Sequence, residues 1–479
     1  MFYHPAIFFG KDMKTILDYI ISNRKTAHIS FAAPGHKNRS AIFDRAGYGE
    51  FYRDMLASDI CANTADNMAD AENLIRSTMD YYADLYGVSH TELLLNETAC
   101  GVTAAISTCV PRGGKMILGR DVDRSVFDAM RNGAVQPVYM RSIYNAKFGL
   151  NEGISPTEVR MACEDNPEAR AVLVTSPNRY GMISDIAAIA DIAHQHGMIL
   201  IVDQTYGAHL RFFDAVNNTA SAAEQLGADI TINGTDRTLL SLGDTGIMNV
   251  CSDRVDIDAL QDELRVLQNN RFSYLAMGSL DINEKILRRY GGDMVNTWMN
   301  DLRYVYKQLT AISGVKVVTS DSLDPTAISF SLADIGVNGA RLAQELESRS
   351  IRVEKVHGDY VLLSTAAGNI RADYEALIAA VKSIVDNYGM GSHTLLPQAD
   401  MPDFVLGCST VPRNKVSVPL YRSDGRVLYN PIVFYPPGTA VACPGEIMNM
   451  EIISSIAKAL ERGDVVEGVD EEGYIFIGK

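Results

Sequence analysis

The chain has 479 residues, too many for one hydrophobic core and enough for two or three domains. Apolar residues make up 47% and charged residues 21%, the balance of a folded globular protein rather than a disordered one. Lys plus Arg number 43 against 59 Asp plus Glu, a formal charge of −16 that repels phosphate backbones and argues against nucleic acid as a partner.

The N-terminal MFYHPAIFFGKDMKT has no basic stretch leading into a long apolar core, so no secretory leader is expected. No apolar run reaches bilayer length, so no membrane partner is expected either. Cys61, Cys100, Cys109, Cys163, Cys251, Cys408 and Cys443 are scattered without a C-x-x-C pair. Free thiols in a reducing cytoplasm fit this better than a disulfide framework. His194 and His196, at i,i+2, would point in different directions and read as two surface histidines, so no metal is expected.

From Thr91 to Cys251 strands and helices alternate. TELLLN (91–96) reads as a strand running into the small-residue helix ETACGVTAAIST. KMILG (115–119) is a strand and SVFDAMRNG (125–133) the helix after it. AVLVTSP (171–177) is a buried strand. DIAAIADIAHQHG (185–197) has helical apolar spacing, Ser184 or Asp185 as N-cap and Gly197 at its end. MILIVD (198–203), ADITIN (228–233) and TGIMNV (245–250) are further buried strands. Short apolar strands between helices imply an α/β fold with a mainly parallel sheet covered on both faces. Ligands bind at the carboxyl ends of such strands, which singles out Asn96–Gly101, Asp121–Ser125, Asp203–His209 and Gly234–Thr238.

Beyond about residue 300 the pattern becomes α+β. AISFSL (327–332) is a strand and NGARLAQELESRS (338–350) a helix. IRVEKV (351–356) and DYVLLST (359–365) form a strand pair, and ADYEALIAAVKSIVDNYG (372–389) is a helix. In the last segment the prolines and glycines of VLYNPIVFYPPGTAVACPGE predict a rigid irregular loop. The expected division is an N-terminal arm (1–20), a large domain (21–300), a small α+β domain (301–400) and a C-terminal domain (401–479).

Eight stretches in order carry a family resemblance: APGHK (33–37), NETACGVTAAI (96–106), RDVDRSV (120–126), SPNRYGMISD (176–185), VDQTYGAH (202–209), GADITINGTDRTLLSL (227–242), FSYLAMGSLD (272–281), and YPPG with PGE (435–438, 444–446). Together they resemble the compact form of the ornithine/lysine/arginine decarboxylases, group III enzymes of pyridoxal-phosphate-dependent fold type I. The resemblance implies a seven-stranded-type sheet between helices, smaller α+β C-terminal domains, and a dimer with its active sites at the subunit interface. It also implies a Schiff-base lysine, an aspartate paired with the pyridine nitrogen, a histidine stacked on the ring, and small residues plus a serine holding the phosphate.

On that pattern Asp203 matches the pyridine aspartate and His209 the second histidine of the same stretch, with Tyr206 where the first would stand. Thr98, Ala99 and Gly101 match part of the phosphate loop, with Glu97 in place of a glycine. The stacking H-K-S run is Asp123, Arg124, Ser125, and the S-x-H-K-T run of the lysine is Gly234, Thr235, Asp236, Arg237, Thr238. Tyr435 and Glu446 are interface or pocket candidates on the same resemblance.

Arg237 cannot do the work of the lysine, because imine formation needs a neutral amine and a guanidinium keeps its proton. Two like charges about 4 Å apart cost about 4 kcal/mol at an effective dielectric near 20. Asp123 beside the ring and Asp236 beside the phosphate therefore oppose the cofactor. These exchanges predict an internal ion network, Asp203–Arg237 with Asp123 or Asp236, filling the cofactor's space. The alternative is that drift erased the site and left the charges solvated. Three functions compete. The first is a non-catalytic subunit, cofactor-free, in a homodimer or paired with an active paralogue. The second is a basic amino-acid decarboxylase using noncovalent pyridoxal phosphate (PLP) and yielding a polyamine precursor. The third is a small-anion or amino-acid binding protein using Arg237 and Arg124.

Overall fold

A computed structural model describes residues 15–25, 37, 39–59, 74–145, 147–148, 150–268, 273–388, 406–435, 439–461, 463 and 465–479. Residues 33–36 of the APGHK stretch and 436–438 of YPPG lie outside these, as does Cys61.

Among the described residues nine strands precede the long helix Tyr274–Thr310: β1 (His90–Leu94), β2 (Lys115–Gly119), β3 (Gln136–Met140), β4 (Ser142–Asn145), β5 (Leu150–Ile154), β6 (Ala171–Thr175), β7 (Ile199–Asp203), β8 (Ile230–Asn233) and β9 (Gly246–Val250). Seven form one sheet in the order β1-β9-β8-β7-β6-β2-β3, and β4 and β5 pair as a separate hairpin. β9 alone runs opposite to its neighbours, antiparallel to β1 and β8. The wholly apolar strands follow from burial on both faces. One face is covered by helices Glu97–Cys109, Arg124–Gly133 and Ile257–Leu267, the other by Pro156–Asp165 and Ile186–Gln195.

Local chemistry sets the boundaries. Helix Ile186–Gln195 begins because Asp185 accepts from the Ala188 amide at 3.1 Å, and it presents Ile186, Ile189 and Ile192 to the sheet, all buried. Each such side chain contributes about 1.5–3 kcal/mol when fully buried. Gly101 is needed for packing: a Cβ there would stand 2.6 Å from Leu94 Cδ1, so this glycine lets its helix lie close to the sheet.

A four-stranded antiparallel sheet follows, in the order Lys316–Val317, Ala327–Ser331, Tyr360–Ser364, Lys355–His357. The expected strand at 351–356 is confined to its last two residues, and the pairing runs through Lys355–His357 instead. Helices Gly339–Glu347 and Arg371–Tyr388 pack on this sheet and share a core with helix Tyr274–Thr310. The C-terminal segment corrects the expectation of an irregular loop. Ile432–Tyr435 pairs with Thr439–Ala442 and with Val465–Glu467. The apolar alternation there, with Ile432 and Phe434 buried, outweighs the flanking prolines. His194 is a second correction. Its Nε2 lies 2.9 Å from the buried Asp229 carboxylate, so this partly buried side chain anchors its helix to the start of β8. Among the described residues no group of His, Cys, Asp or Glu is arranged to hold a metal, no helix is long and apolar enough to cross a membrane, and six cysteines are unbridged.

Candidate functional site

The parallel strands deliver their following residues to one edge of the seven-stranded sheet. There a cavity of about 220 Å³ opens between that edge and the four-stranded sheet. Asp121, Asp123, Asp203 and Tyr206 form the wall nearest the strands, and Arg179, Asp324, Thr326, Glu354 and Lys355 line other parts of it.

Asp203 ends β7 and is 4% exposed. Its Oδ1 accepts from the Thr205 amide at 3.1 Å and the Thr205 hydroxyl at 2.6 Å, and its other oxygen takes no hydrogen bond among the described residues. Burial pushes this carboxyl above the usual carboxylate range. The Thr205 bonds oppose that rise, and Asp123 and Asp121 add to it. Asp121 is pushed up in the same way, with Arg179 opposing. Burial and the neighbouring Arg179 hold Lys355 below the usual lysine range, while Glu467 and Glu354 oppose the drop.

The expected Asp203–Arg237 ion network is absent from this arrangement. Arg237 belongs to the short helix Thr235–Thr238 and is 43% exposed. The carboxylate paired with it is that of its own neighbour Asp236, 3.8 Å from Nε. The reason is local. Thr205 takes one oxygen of Asp203, and its carbonyl accepts from the Gly234 amide at 3.2 Å, which fixes the start of the Arg237 helix against Thr205. Asp123 is the N-cap of helix Arg124–Gly133, accepting from Ser125 N at 2.8 Å, and so is committed to its backbone while still lining the cavity. Arg124 is 89% exposed and pairs with Asp128 at 3.7 Å, so it does not line the cavity as an anion-binding group. His209 is fully buried behind the cavity wall. Its Nε2 lies 3.1 Å from Asp324 Oδ1, its ring packs edge-on against Phe213, and its Nδ1 has no partner among the described residues. Glu446 is 1% exposed and holds Arg120, lining a second cavity with Tyr139 and Cys408. The backbone of Tyr435 closes strand Ile432–Tyr435; its side chain lies outside what is described.

The profile of the Orn/Lys/Arg decarboxylase major domain matches residues 14–334. The chain belongs to the Orn/Lys/Arg decarboxylase family. It is 27% identical to an arginine decarboxylase of Bacillus anthracis, over 94% of each chain. Its fold is similar to that of the constitutive lysine decarboxylase of E. coli, with a TM-score of 0.81 and 16% identity over 97% of this chain and 82% of that one. It is also similar to a structure of SPT with PLP as an internal aldimine, with a TM-score of 0.54 and 16% identity over 65% of this chain and 76% of that one. The architecture is that of PLP-dependent fold type I.

For an Orn/Lys/Arg decarboxylase family member the two ends of the cofactor place different demands on the site. The pyridine end is met: Asp203 is a buried carboxylate with one open oxygen, suited to a protonated ring nitrogen. The phosphate end is not. The first amide of helix Glu97–Cys109 donates to the Asp244 carbonyl at 3.1 Å, and the Asp244 amide donates to Asp236 Oδ2 at 3.0 Å. Thr98 and Ala99 sit in that first helical turn and do not line the cavity. A Cβ on Gly234 would come 2.7 Å from the Thr205 carbonyl oxygen, so the family's serine is excluded there as well. A carboxylate tied to the helix start and a position closed to a serine thus oppose a phosphate there.

Sequence reasoning missed Asp324, Thr326, Glu354 and Lys355. They reach the cavity from a sheet built more than a hundred residues after β7, and no local motif marks them. Arg179 and Asn178 lie inside the quoted SPNRYGMISD stretch, where a basic residue just after β6 was the available signal.

Proposed function

We propose that this chain is a non-catalytic member of the Orn/Lys/Arg decarboxylase family, a structural or regulatory subunit that dimerises with itself or with an active paralogue. The observation that carries the reading is Arg237: the position of the family's lysine holds a permanently protonated guanidinium that is half exposed and paired with Asp236. Coexpression with an active arginine decarboxylase tests it. Co-purification, or a change in the relative's activity, is expected. Absence of both, or release of carbon dioxide from arginine, lysine or ornithine by the purified chain, refutes it.

A second reading is a basic amino-acid decarboxylase with noncovalent PLP. The open oxygen of Asp203 and the full-length likeness to arginine decarboxylase favour it. The same carbon dioxide assay, run with and without added PLP, separates the two. An anion-binding role for Arg124 and Arg237 is the weakest of the three, because neither lines the cavity.

A further inference from the structure

We infer that the segment Gly234–Gly246 ties the Asp236 carboxylate to the start of helix Glu97–Cys109, so that this end of the site selects against phosphorylated ligands, whichever residue stands at 237. A phosphate at a helix N-terminus is held by free backbone N–H groups and by the positive end of the helix. Here the first of those groups is already engaged. Asp236 accepts from the Asp244 amide, and the Asp244 carbonyl accepts from the Glu97 amide, a relay that runs from a carboxylate to the first residue of the helix. Both Glu97 (φ 58°) and Asp244 (φ 64°) adopt left-handed backbone, a conformation that costs free energy outside glycine and persists where surrounding contacts hold it.

The contacts that hold it are present. Ser241 Oγ donates to Thr235 Oγ1 at 2.7 Å, and Thr245 Oγ1 lies 2.8 Å from Ser241 Oγ. The Leu240 amide donates to Asn283 Oδ1 at 3.0 Å, and the Leu242 amide to Ser279 Oγ at 3.1 Å, so helix Tyr274–Thr310 braces the loop from outside. The antiparallel direction of β9 is what allows this. A strand returning beside β8 brings its preceding loop to the carboxyl edge of the sheet, over the start of helix Glu97–Cys109. The Asp236 carboxylate, bonded to the Asp244 amide, then opposes a phosphate ester, which carries about −1.5 to −2 charges, at this end of the helix.

The test uses the full chain with Arg237→Lys, which supplies an amine, and with Arg237→Lys combined with Asp236→Asn. Each is titrated with pyridoxal and with pyridoxal 5′-phosphate by imine absorbance. Arg237→Lys is expected to bind the two within about threefold of each other, with inorganic phosphate failing to compete. Adding Asp236→Asn is expected to tighten pyridoxal 5′-phosphate at least tenfold and leave pyridoxal unchanged. A hundredfold preference for the phosphate ester in Arg237→Lys alone, or equal effects of Asp236→Asn on both probes, overturns the inference. If no chromophore forms, thermal shift with inorganic phosphate decides. A shift in Asp236→Asn and none in the wild type supports it; a shift in the wild type, or in neither, overturns it. The non-catalytic reading fails on carbon dioxide release and this inference on phosphate selectivity, so either can fail alone.

Discussion

Removing Glu446 separates two roles for that residue: an internal clamp, or a group presented to a partner. Its carboxylate accepts from Arg120 Nη1 at 3.0 Å, from Arg120 Nη2 at 2.5 Å and from the Cys443 amide at 2.6 Å. The side chains of Arg120 and Glu446 are 13% and 1% exposed, and Arg120 Cζ stands 5.5 Å from the centre of the Tyr139 ring. Glu446→Ala leaves a guanidinium that cannot shed its proton inside the junction between β2 and the C-terminal segment. Breaking a buried pair by removing one partner costs about 3–5 kcal/mol. Removing both charges, as Arg120→Met with Glu446→Leu, leaves only the Cys443 amide without its acceptor, a loss of about 1–3 kcal/mol. The double variant is therefore expected to be more stable than Glu446→Ala. Urea unfolding of the wild type, both single variants and the double variant, followed by circular dichroism, gives the coupling directly. A loss below about 1 kcal/mol in Glu446→Ala, well short of the buried-pair cost, accompanied by a change in oligomeric size, refutes the clamp and returns Glu446 to an interface.

Arg237→Ala is expected to change stability by less than about 0.5 kcal/mol, as a surface substitution does; a loss above about 2 kcal/mol would restore the internal ion network. Asp203→Asn tests the sign of a buried carboxyl. Because the folded chain holds Asp203 above its ordinary value, its contribution to stability is full below about pH 4 and is lost as pH rises through the folded value. The asparagine variant is thus expected to melt higher than wild type at pH 7–8 and to lose that advantage toward pH 4, and a lower melting temperature at pH 8 contradicts the argument. Asp324→Ala removes the acceptor of the Thr326 amide (3.0 Å) and hydroxyl (2.8 Å) and the partner of the buried His209, with an expected loss of about 2–4 kcal/mol in urea unfolding.

The sequence carried the parallel strands because a strand covered on both faces must be apolar throughout, as AVLVT and ILIVD are. It pointed to Asp203 because ligands bind at the carboxyl ends of such strands and VDQTYGAH resembles the family's pattern there. It did not carry strand direction: GIMNV reads the same whether β9 runs with or against its neighbours, and the reversal decides where the 234–246 loop lies. It revealed the side-chain types at Asp236 and Arg237 but not their aim, which depends on Gly234 bonding to Thr205 across a gap of 29 residues. In the C-terminal segment the apolar alternation of 432–435 was present, and the prolines and glycines around it drew the reading toward a loop.

Thr205 makes the two ends of the site one problem. Its hydroxyl and amide hold the Asp203 carboxylate, and its carbonyl receives the Gly234 amide and crowds any side chain placed at 234. A serine at 234 would have to displace a backbone carbonyl, and that displacement would loosen the residue that positions Asp203. Reinstating the phosphate contact thus disturbs the pyridine contact, whereas Arg237 is half exposed, lies outside the cavity and pairs with Asp236 at 3.8 Å. On the family resemblance Arg237 stands where a lysine is expected, and its side chain is 43% exposed. The glycine at 234 and the carboxylate relay from Asp236 to Glu97 are tied into the fold and have to change together.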